Sequence, residues 1–149
     1  MKGKKKCNKW VTIIAAIAAV MAIYLAFDIG RGTYYNNLGT THMAEGEYGE
    51  AISCFAKALK ARRKSPEAYC NRGTAYYEKG DYDRAIPDFN KAIELSPEFV
   101  DAYYNRAVVY YHKKEYDRAW EDVHKAQSLG HQIGANFLEA LREISAREE

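Results

Sequence analysis

Cysteine is scarce in this chain, which has three among 149 residues. None belongs to a CxxC pair or has a metal-ligand spacing with the four histidines, so we expect neither a disulfide scaffold nor a metal site. Cys54 and Cys70 would pair only in an oxidising compartment. The chain also lacks a glycine-rich phosphate loop, an HExxH motif and a GxSxG motif. These absences predict a protein without enzyme activity, cofactor or metal.

Acidic residues are missing from the first 27 positions, where the basic residues are Lys2, Lys4, Lys5, Lys6 and Lys9. All 20 acidic residues come later, and residues 28–149 hold 17 basic residues, which gives that part a net charge of −3. A nucleic-acid-binding domain is usually basic. We therefore expect no nucleic-acid partner.

The basic N-terminus, residues 1–9, is followed by a charge-free segment, residues 10–27. As a helix this segment would span about 27 Å, close to the thickness of a bilayer core. It predicts a single-pass signal-anchor helix, with the lysines on the cytoplasmic side and the rest of the chain extracytoplasmic, or periplasmic in a bacterium. The alternative is a cleaved secretory signal, which would release a secreted protein. Residues 28–32 are predicted to form a short flexible linker.

A period of 34 residues runs through the remaining sequence: Tyr69 aligns with Tyr35 and Tyr103, and Ala85 with Ala51 and Ala119. Within each period, apolar and small residues follow helical spacing twice, which predicts a pair of helices. Such a fixed period indicates stacked repeats. The sequences Ser65-Pro66-Glu67 and Ser96-Pro97-Glu98 are predicted to start first helices, and Asp81 and Glu115 to start second helices.

These residues resemble the tetratricopeptide repeat (TPR) family, whose units are helix-turn-helix pairs of this length with small and aromatic residues in the same columns. The resemblance implies an all-α fold with a right-handed superhelix of three units, residues 32–65, 66–99 and 100–133. Residues 134–149 follow the last unit. Phe137, Leu138, Leu141 and Ile144 lie there on one helical stripe, which predicts a capping helix.

Two columns of the repeat change together. Arg72 and Arg106 align with Leu38, while Asp88 and Asp122 align with Cys54. Arginine in one column is thus matched by aspartate in the other, and an apolar residue by an apolar one. We predict structural ion pairs between the two helices of a unit, Arg72 with Asp88 and Arg106 with Asp122.

The resemblance further implies that the first helices line a concave groove that binds a polypeptide. The predicted groove residues are Asn36, Asn37, Thr40, Met43, Glu67, Cys70, Asn71, Thr74, Tyr77, Glu78, Asp101, Tyr104, Asn105, Val108, Tyr111 and His112. The asparagine column of Asn37, Asn71 and Asn105 would bond a peptide backbone or, equally well, a neighbouring helix.

Some TPR proteins hold acidic C-terminal tails of chaperones with a two-carboxylate clamp, which needs a lysine and an asparagine in the first unit and a lysine and an arginine in the third. Here the corresponding residues are Asn36, Thr40, Asp101 and Asn105, and only Asn71 of the second unit matches the clamp. Three cations are absent and Asp101 reverses a charge, so a neutral, aromatic or basic segment is the expected ligand.

The basic run Lys57, Lys60, Arg62, Arg63 and Lys64 ends the first unit. We interpret it as complementing a helix dipole, with contact to acidic lipid or nucleic acid as the alternative. The sequence as a whole predicts a membrane-tethered adaptor, scaffold or assembly factor that binds protein. A structural module that associates with its own copies, as a homo-oligomer, is the alternative.

Overall fold

The computed structural model of the chain describes residues 4–145. These residues form seven helices and no strand: α1 (Lys4–Ala44), α2 (Tyr48–Ala61), α3 (Pro66–Glu78), α4 (Tyr82–Leu95), α5 (Val100–His112), α6 (Tyr116–Ser128) and α7 (Ala135–Ser145). Helices α1 and α2, α3 and α4, and α5 and α6 pack as successive pairs, and each pair packs on the next. The predicted all-α repeat fold is confirmed.

Helix α1 is continuous through residues 28–32, so the prediction of a flexible linker there is wrong. An exposed glycine costs a helix only about 1 kcal/mol, and adding a residue to an existing helix is easier than starting one. Gly32 is moreover packed tightly, because a Cβ atom placed on it would lie 2.7 Å from the side chain of Arg62. One rod of about 60 Å therefore joins the apolar segment to the first repeat.

The apolar part of α1 has no partner within the described fold. Trp10, Ile23 and Phe27 are 68%, 69% and 63% exposed. Among the described residues, α1 is the one helix long and apolar enough to cross a membrane, judged by length and composition, and none of its apolar stretch is buried.

The three helix pairs close with the same turn. The backbone N–H groups of Glu47, Asp81 and Glu115 donate to the carbonyls of His42, Tyr76 and Tyr110, five residues back. The residue before each donor has a positive φ, and in the first two turns it is glycine, at positions 46 and 80. In the third turn Lys114 adopts the same left-handed conformation, with φ 62°.

Complementary sizes fill the space between the two helices of each unit. Phe55 covers Gly39 and Phe89 covers Gly73, so closely that an added Cβ would lie 2.6 Å and 2.8 Å from the rings. In the third unit the corresponding residues are Ala107 and Val123, which share one buried cluster. A larger residue on one helix is matched by a smaller one on the other, which keeps the packing dense in all three units.

The predicted helix starts are confirmed in two cases. Ser65 Oγ accepts from the N–H of Ala68, and an Asp81 carboxylate oxygen accepts from the N–H of Arg84, each at 3.3 Å. Glu115 stands at the start of α6 without a side-chain capping bond.

The predicted start at Ser96 is wrong, because Ser96 ends α4 and α5 begins at Val100 after Phe99. Phe99 lies 34 residues after Ser65. The register of the repeat therefore decides where α5 starts, and the local Ser-Pro-Glu motif does not.

Both predicted ion pairs are present. Arg72 donates to both carboxylate oxygens of Asp88 at 2.7 Å, and Arg106 donates to those of Asp122 at 2.8 and 2.6 Å. The aspartates are 6% and 4% exposed. The hydrogen bonds with Asp88 raise the pKa of Arg72 above its usual value. These pairs join the first and second helices of units two and three.

Helix α7 covers the open end of the stack, as predicted. Its Leu141 is fully buried against Ala107, Tyr110, Ala119 and Val123. Residues 146–149 of the predicted capping segment lie outside the described residues.

Candidate peptide-binding groove

The first helices of the three units lie side by side and are joined by polar contacts. The Nδ2 of Asn71 on α3 donates to the side-chain oxygen of Asn36 on α1 at 3.2 Å. The Nδ2 of Asn105 on α5 donates to the hydroxyl of Thr74 on α3 at 3.3 Å. The C-terminal half of α1 thus forms one layer with α3 and α5, and this layer carries the predicted groove residues.

Two of the three residues in the asparagine column bond neighbouring helices. Asn71 and Asn105 are both half-buried in these contacts, whereas Asn37 is exposed. Asn71 and Asn105 thus take the helix-to-helix role considered from the sequence, and bonding of a peptide backbone by this column stays a prediction. An amide NH₂ group has two hydrogens, so the helix-to-helix bonding uses only part of what each asparagine offers.

Cys70 lies below the surface of the groove. Its side chain is 4% exposed, and the Nδ2 of Asn105 lies 3.6 Å from its Sγ. Burial raises the pKa of this thiol to about 12, so it stays protonated at neutral pH and is a poor nucleophile. Cys70 and Cys54 are both buried free cysteines. A bound peptide would therefore meet the neighbours of Cys70 before it met the thiol.

Aromatic rings gather where α3 meets α5. The hydroxyl of Tyr77 lies 3.0 Å from Nε2 of His112, and Tyr82 stacks on both rings with centroids 5.8 and 5.9 Å apart. Burial raises the pKa of Tyr77, so its hydroxyl stays protonated and able to donate. This cluster presents flat apolar area with polar edges, a surface suited to protein contact.

Helix α7 covers part of the predicted groove. Phe137 lies 6.0 Å from the Tyr104 ring and 5.5 Å from the Tyr111 ring, centroid to centroid. His131 also contacts Tyr104, at 5.1 Å. The sequence placed Phe137 on the apolar stripe of α7 but did not indicate these two contacts. The more open part of the groove is therefore formed by α1, α3 and the side of α5 that faces α3.

The remaining groove residues divide between surface and interior. Thr40, Glu67, Glu78, Asp101 and His112 are exposed, and Asn36 and Val108 are half-buried. Met43 packs against the cluster of Phe55, Ala51 and Ala75, so it belongs mostly to the core of the first unit.

The exposed charges of the groove are negative. Glu67, Glu78 and Asp101 are carboxylates, and no lysine or arginine occurs among the predicted groove residues. The carboxylates of Asp101 and Glu67 both act to raise the pKa of Cys70, so negative charge surrounds this part of the groove. The groove therefore favours a ligand without excess negative charge.

The turn between α1 and α2 holds one group of potential metal ligands. His42, Glu45 and Glu47 offer atoms within 4.8 Å of one another. His42 Nδ1 lies 2.6 Å from a carboxylate oxygen of Glu47 and 3.7 Å from one of Glu45, so contacts with the histidine bring these side chains together.

The stacked helix pairs define a helical-repeat scaffold. The TPR repeat family signature matches residues 39–80 and 73–114, which together are about half of the chain. The protein therefore belongs to the TPR repeat family. No curated protein sequence matches the chain.

Several solved structures are similar. The first TPR of Spaghetti (RPAP3) bound to the HSP90 peptide SRMEEVD has 24% identity and a TM-score of 0.73, covering 80% of this chain and 94% of that one. The TPR2B domain of yeast Sti1, in a pHsp70 complex, has 24% identity and a TM-score of 0.71, covering 80% and 98%. MamA has 28% identity and a TM-score of 0.64, covering 66% and 57%. At this identity the likeness extends to the fold.

Proposed function

We propose that this protein is a membrane-tethered, non-catalytic adaptor, scaffold or assembly factor that holds a polypeptide segment in the groove of α1, α3 and α5. The observation that carries the proposal is the layer of three first helices, which presents exposed polar and half-buried aromatic side chains. Similar folds have been solved with an HSP90 peptide bound and in a pHsp70 complex, which supports a polypeptide ligand.

The charge of the groove argues for a neutral, aromatic or basic ligand. Asp101 and Asn105 stand where an acidic-tail clamp has two cations, and Asp101 is exposed. Asn105 is already engaged with Thr74. An acidic C-terminal tail would meet a carboxylate in place of a lysine, which disfavours its binding.

The tether in this proposal is residues 10–27 within α1. Their exposed apolar side chains would be covered by lipid, which removes the cost of leaving them in water. The five lysines before them favour a cytoplasmic N-terminus, with the three proposed units, residues 32–65, 66–99 and 100–133, on the other side. Signal cleavage with secretion is the alternative for localisation.

Photocrosslinking in native membranes tests the proposal. A photoreactive amino acid replaces Thr40 or Glu78, both exposed in the groove, or Ser53, exposed on the second helix α2 as the matched control. We expect a discrete adduct with another polypeptide from the two groove sites and not from Ser53.

Adducts from Ser53 alone would contradict the groove as the binding surface. Adducts only between copies of this chain would support self-association instead. Loss of the chain from the membrane fraction after carbonate washing would contradict the tether.

A further inference from the structure

The continuity of α1 fixes which end of the repeat stack faces a bilayer, provided that residues 10–27 span it as proposed above. Phe27 is the last residue of the apolar segment, and Gly32 follows it within the same helix by about 7.5 Å of axial rise. The polar headgroup layer on each side of a bilayer is about 5–8 Å thick. Gly32 therefore lies at the level of the lipid headgroups.

Arg62 lies at the same level as Gly32. A Cβ atom placed on Gly32 would be 2.7 Å from Cγ and Cδ of Arg62, so the two residues touch. Arg62 ends α2, which runs back along α1, and residues 62–64 form the loop that leads to α3. This loop is consequently the part of the first unit that is nearest to the membrane surface.

The membrane-facing loop is basic and exposed. Arg62, Arg63 and Lys64 are all exposed, and none of them forms an ion pair with any residue that the structure describes. The nearby acids have other partners: Asp28 lies 3.8 Å from Arg31, and Glu67 accepts a hydrogen bond from Ser65. The three positive charges are therefore available to a ligand.

The same loop is not basic in the other units. The residues 34 and 68 positions after Arg62-Arg63-Lys64 are Ser96-Pro97-Glu98 and Gly130-His131-Gln132. Helix α4 ends without a basic residue in its last turn. A helix of this repeat thus needs no such cluster to complement its dipole. The basic loop occurs only in the unit that is joined to the anchor.

We propose that Arg62, Arg63 and Lys64 bind the phosphate groups of anionic phospholipids and so fix the base of the repeat stack on the bilayer surface. Basic residues close to a membrane attract anionic lipids, and a guanidinium group can donate two parallel hydrogen bonds to a phosphate. With α1 as a rigid rod, this contact would fix the rotation of the stack about that rod and thereby the direction in which the groove opens.

The test uses the full chain in vesicles of phosphatidylcholine with about 30% phosphatidylglycerol, a composition chosen to carry surface charge. A photoreactive amino acid replaces Lys64 in the basic loop before α3 or Lys79 at the other end of α3. Both replacements remove one exposed lysine. Intact mass spectrometry identifies the crosslinked lipid, and flotation with the vesicles reports the anchor separately.

We expect lipid adducts at position 64 and not at position 79, with phosphatidylglycerol enriched about twofold or more over its share of the bilayer. The double substitution Arg62→Gln with Arg63→Gln should reduce this enrichment to the bulk ratio. Lys114→Gln with Arg118→Gln removes two charges at the turn between α5 and α6 and should leave the enrichment of phosphatidylglycerol unchanged.

Three results would overturn the inference. If the chain floats but gives no adduct at position 64, the anchor is supported and the lipid contact of the basic loop is contradicted. Adducts in the bulk lipid ratio would show proximity without recognition of anionic lipid. If the chain does not float, the membrane anchor is contradicted, and the lipid contact that depends on it is contradicted as well.

Discussion

Removing Arg106 should destabilise the fold strongly, whereas removing it together with Asp122 should not. Arg106 donates to both oxygens of Asp122 on α6 and also to Asn90 on α4. The side chain of Asp122 is 6% exposed and that of Arg106 is 18% exposed. Breaking a buried ion pair costs about 3–5 kcal/mol, because one charge is left without its partner.

The magnitudes should differ between the two single variants. We expect Arg106→Leu to cost about 3–4 kcal/mol at neutral pH, since it strands the more buried group. Asp122→Leu should cost about 2–3 kcal/mol, because Arg106 keeps Asn90 and some solvent contact. The double variant should lie within about 1 kcal/mol of the wild type, as an apolar pair can replace a buried ion pair. The first unit already has Leu38 and Cys54 in these two columns.

Urea unfolding of the detergent-solubilised full chain measures these values. Trp120 packs in the same cluster as Val123 and reports on the third unit once Trp10 has been replaced by phenylalanine. The prediction is refuted if the double variant loses as much unfolding free energy as the two single variants lose together, because the two residues would then contribute independently.

The pH dependence of Arg106→Leu provides a second readout. Burial raises the pKa of Asp122, and the hydrogen bonds from Arg106 oppose that rise. Without Arg106 the folded-state pKa should rise further above the unfolded value. The folded variant then binds a proton more readily than the unfolded chain does, so stability is greatest in acid and is lost as pH rises through the folded pKa. The difference in unfolding free energy between the wild type and Arg106→Leu should therefore increase from mildly acidic to neutral pH.

Three further predictions concern packing and capping, each measured as a shift in the urea midpoint. Gly39→Ala should cost about 1–3 kcal/mol because the added Cβ would overlap the Phe55 ring. The control, Gly49→Ala, adds a Cβ in open space and should be neutral or slightly stabilising. Equal effects of the two substitutions would contradict the close packing at Gly39. Ser65→Ala should cost about 1 kcal/mol through loss of the α3 cap, and no change would contradict that role. Phe137→Ala should cost about 2 kcal/mol because α7 loses its ring contacts with Tyr104 and Tyr111, and unchanged unfolding would contradict the cap.

The repeated columns made much of the fold predictable. A side chain that must fit between two helices constrains its partner, so the matched changes in the columns of Arg72 and Asp88 predict the contact that the structure contains. The same reasoning explains why Gly39 and Gly73 each lie under a phenylalanine. Periodicity carries this information because every unit solves the same packing problem.

The features that the sequence did not indicate depend on neighbours or on helix cooperativity. Glycines at 30 and 32 are typical of a linker, yet α1 continues through them because helix exists on both sides and Gly32 packs on Arg62. Ser96 has the residue type of a helix cap, but the repeat register places α5 after Phe99. The contact of Phe137 with Tyr104 occurs outside the period, where no column constrains it.

The continuity of α1 would make the proposed membrane tether rigid. A flexible tether raises effective concentration in all directions, whereas a rigid one presents the groove at a defined height and orientation. In the membrane-tethered arrangement proposed above, the groove would be held at a fixed distance from the bilayer.

The affinity of the full chain for two peptides tests most directly the claim that the groove binds a polypeptide and disfavours acidic tails. One peptide is SRMEEVD, which is bound in the similar Spaghetti structure, and the other has its three acidic residues replaced by lysine. Exposed charge pairs are each worth about 0.2–1 kcal/mol, so three reversals should favour the lysine peptide by about tenfold or more. Asp101→Lys should narrow the difference. Tighter binding of SRMEEVD to the wild type, or binding of the lysine peptide that Asp101→Lys leaves unchanged, would contradict the account.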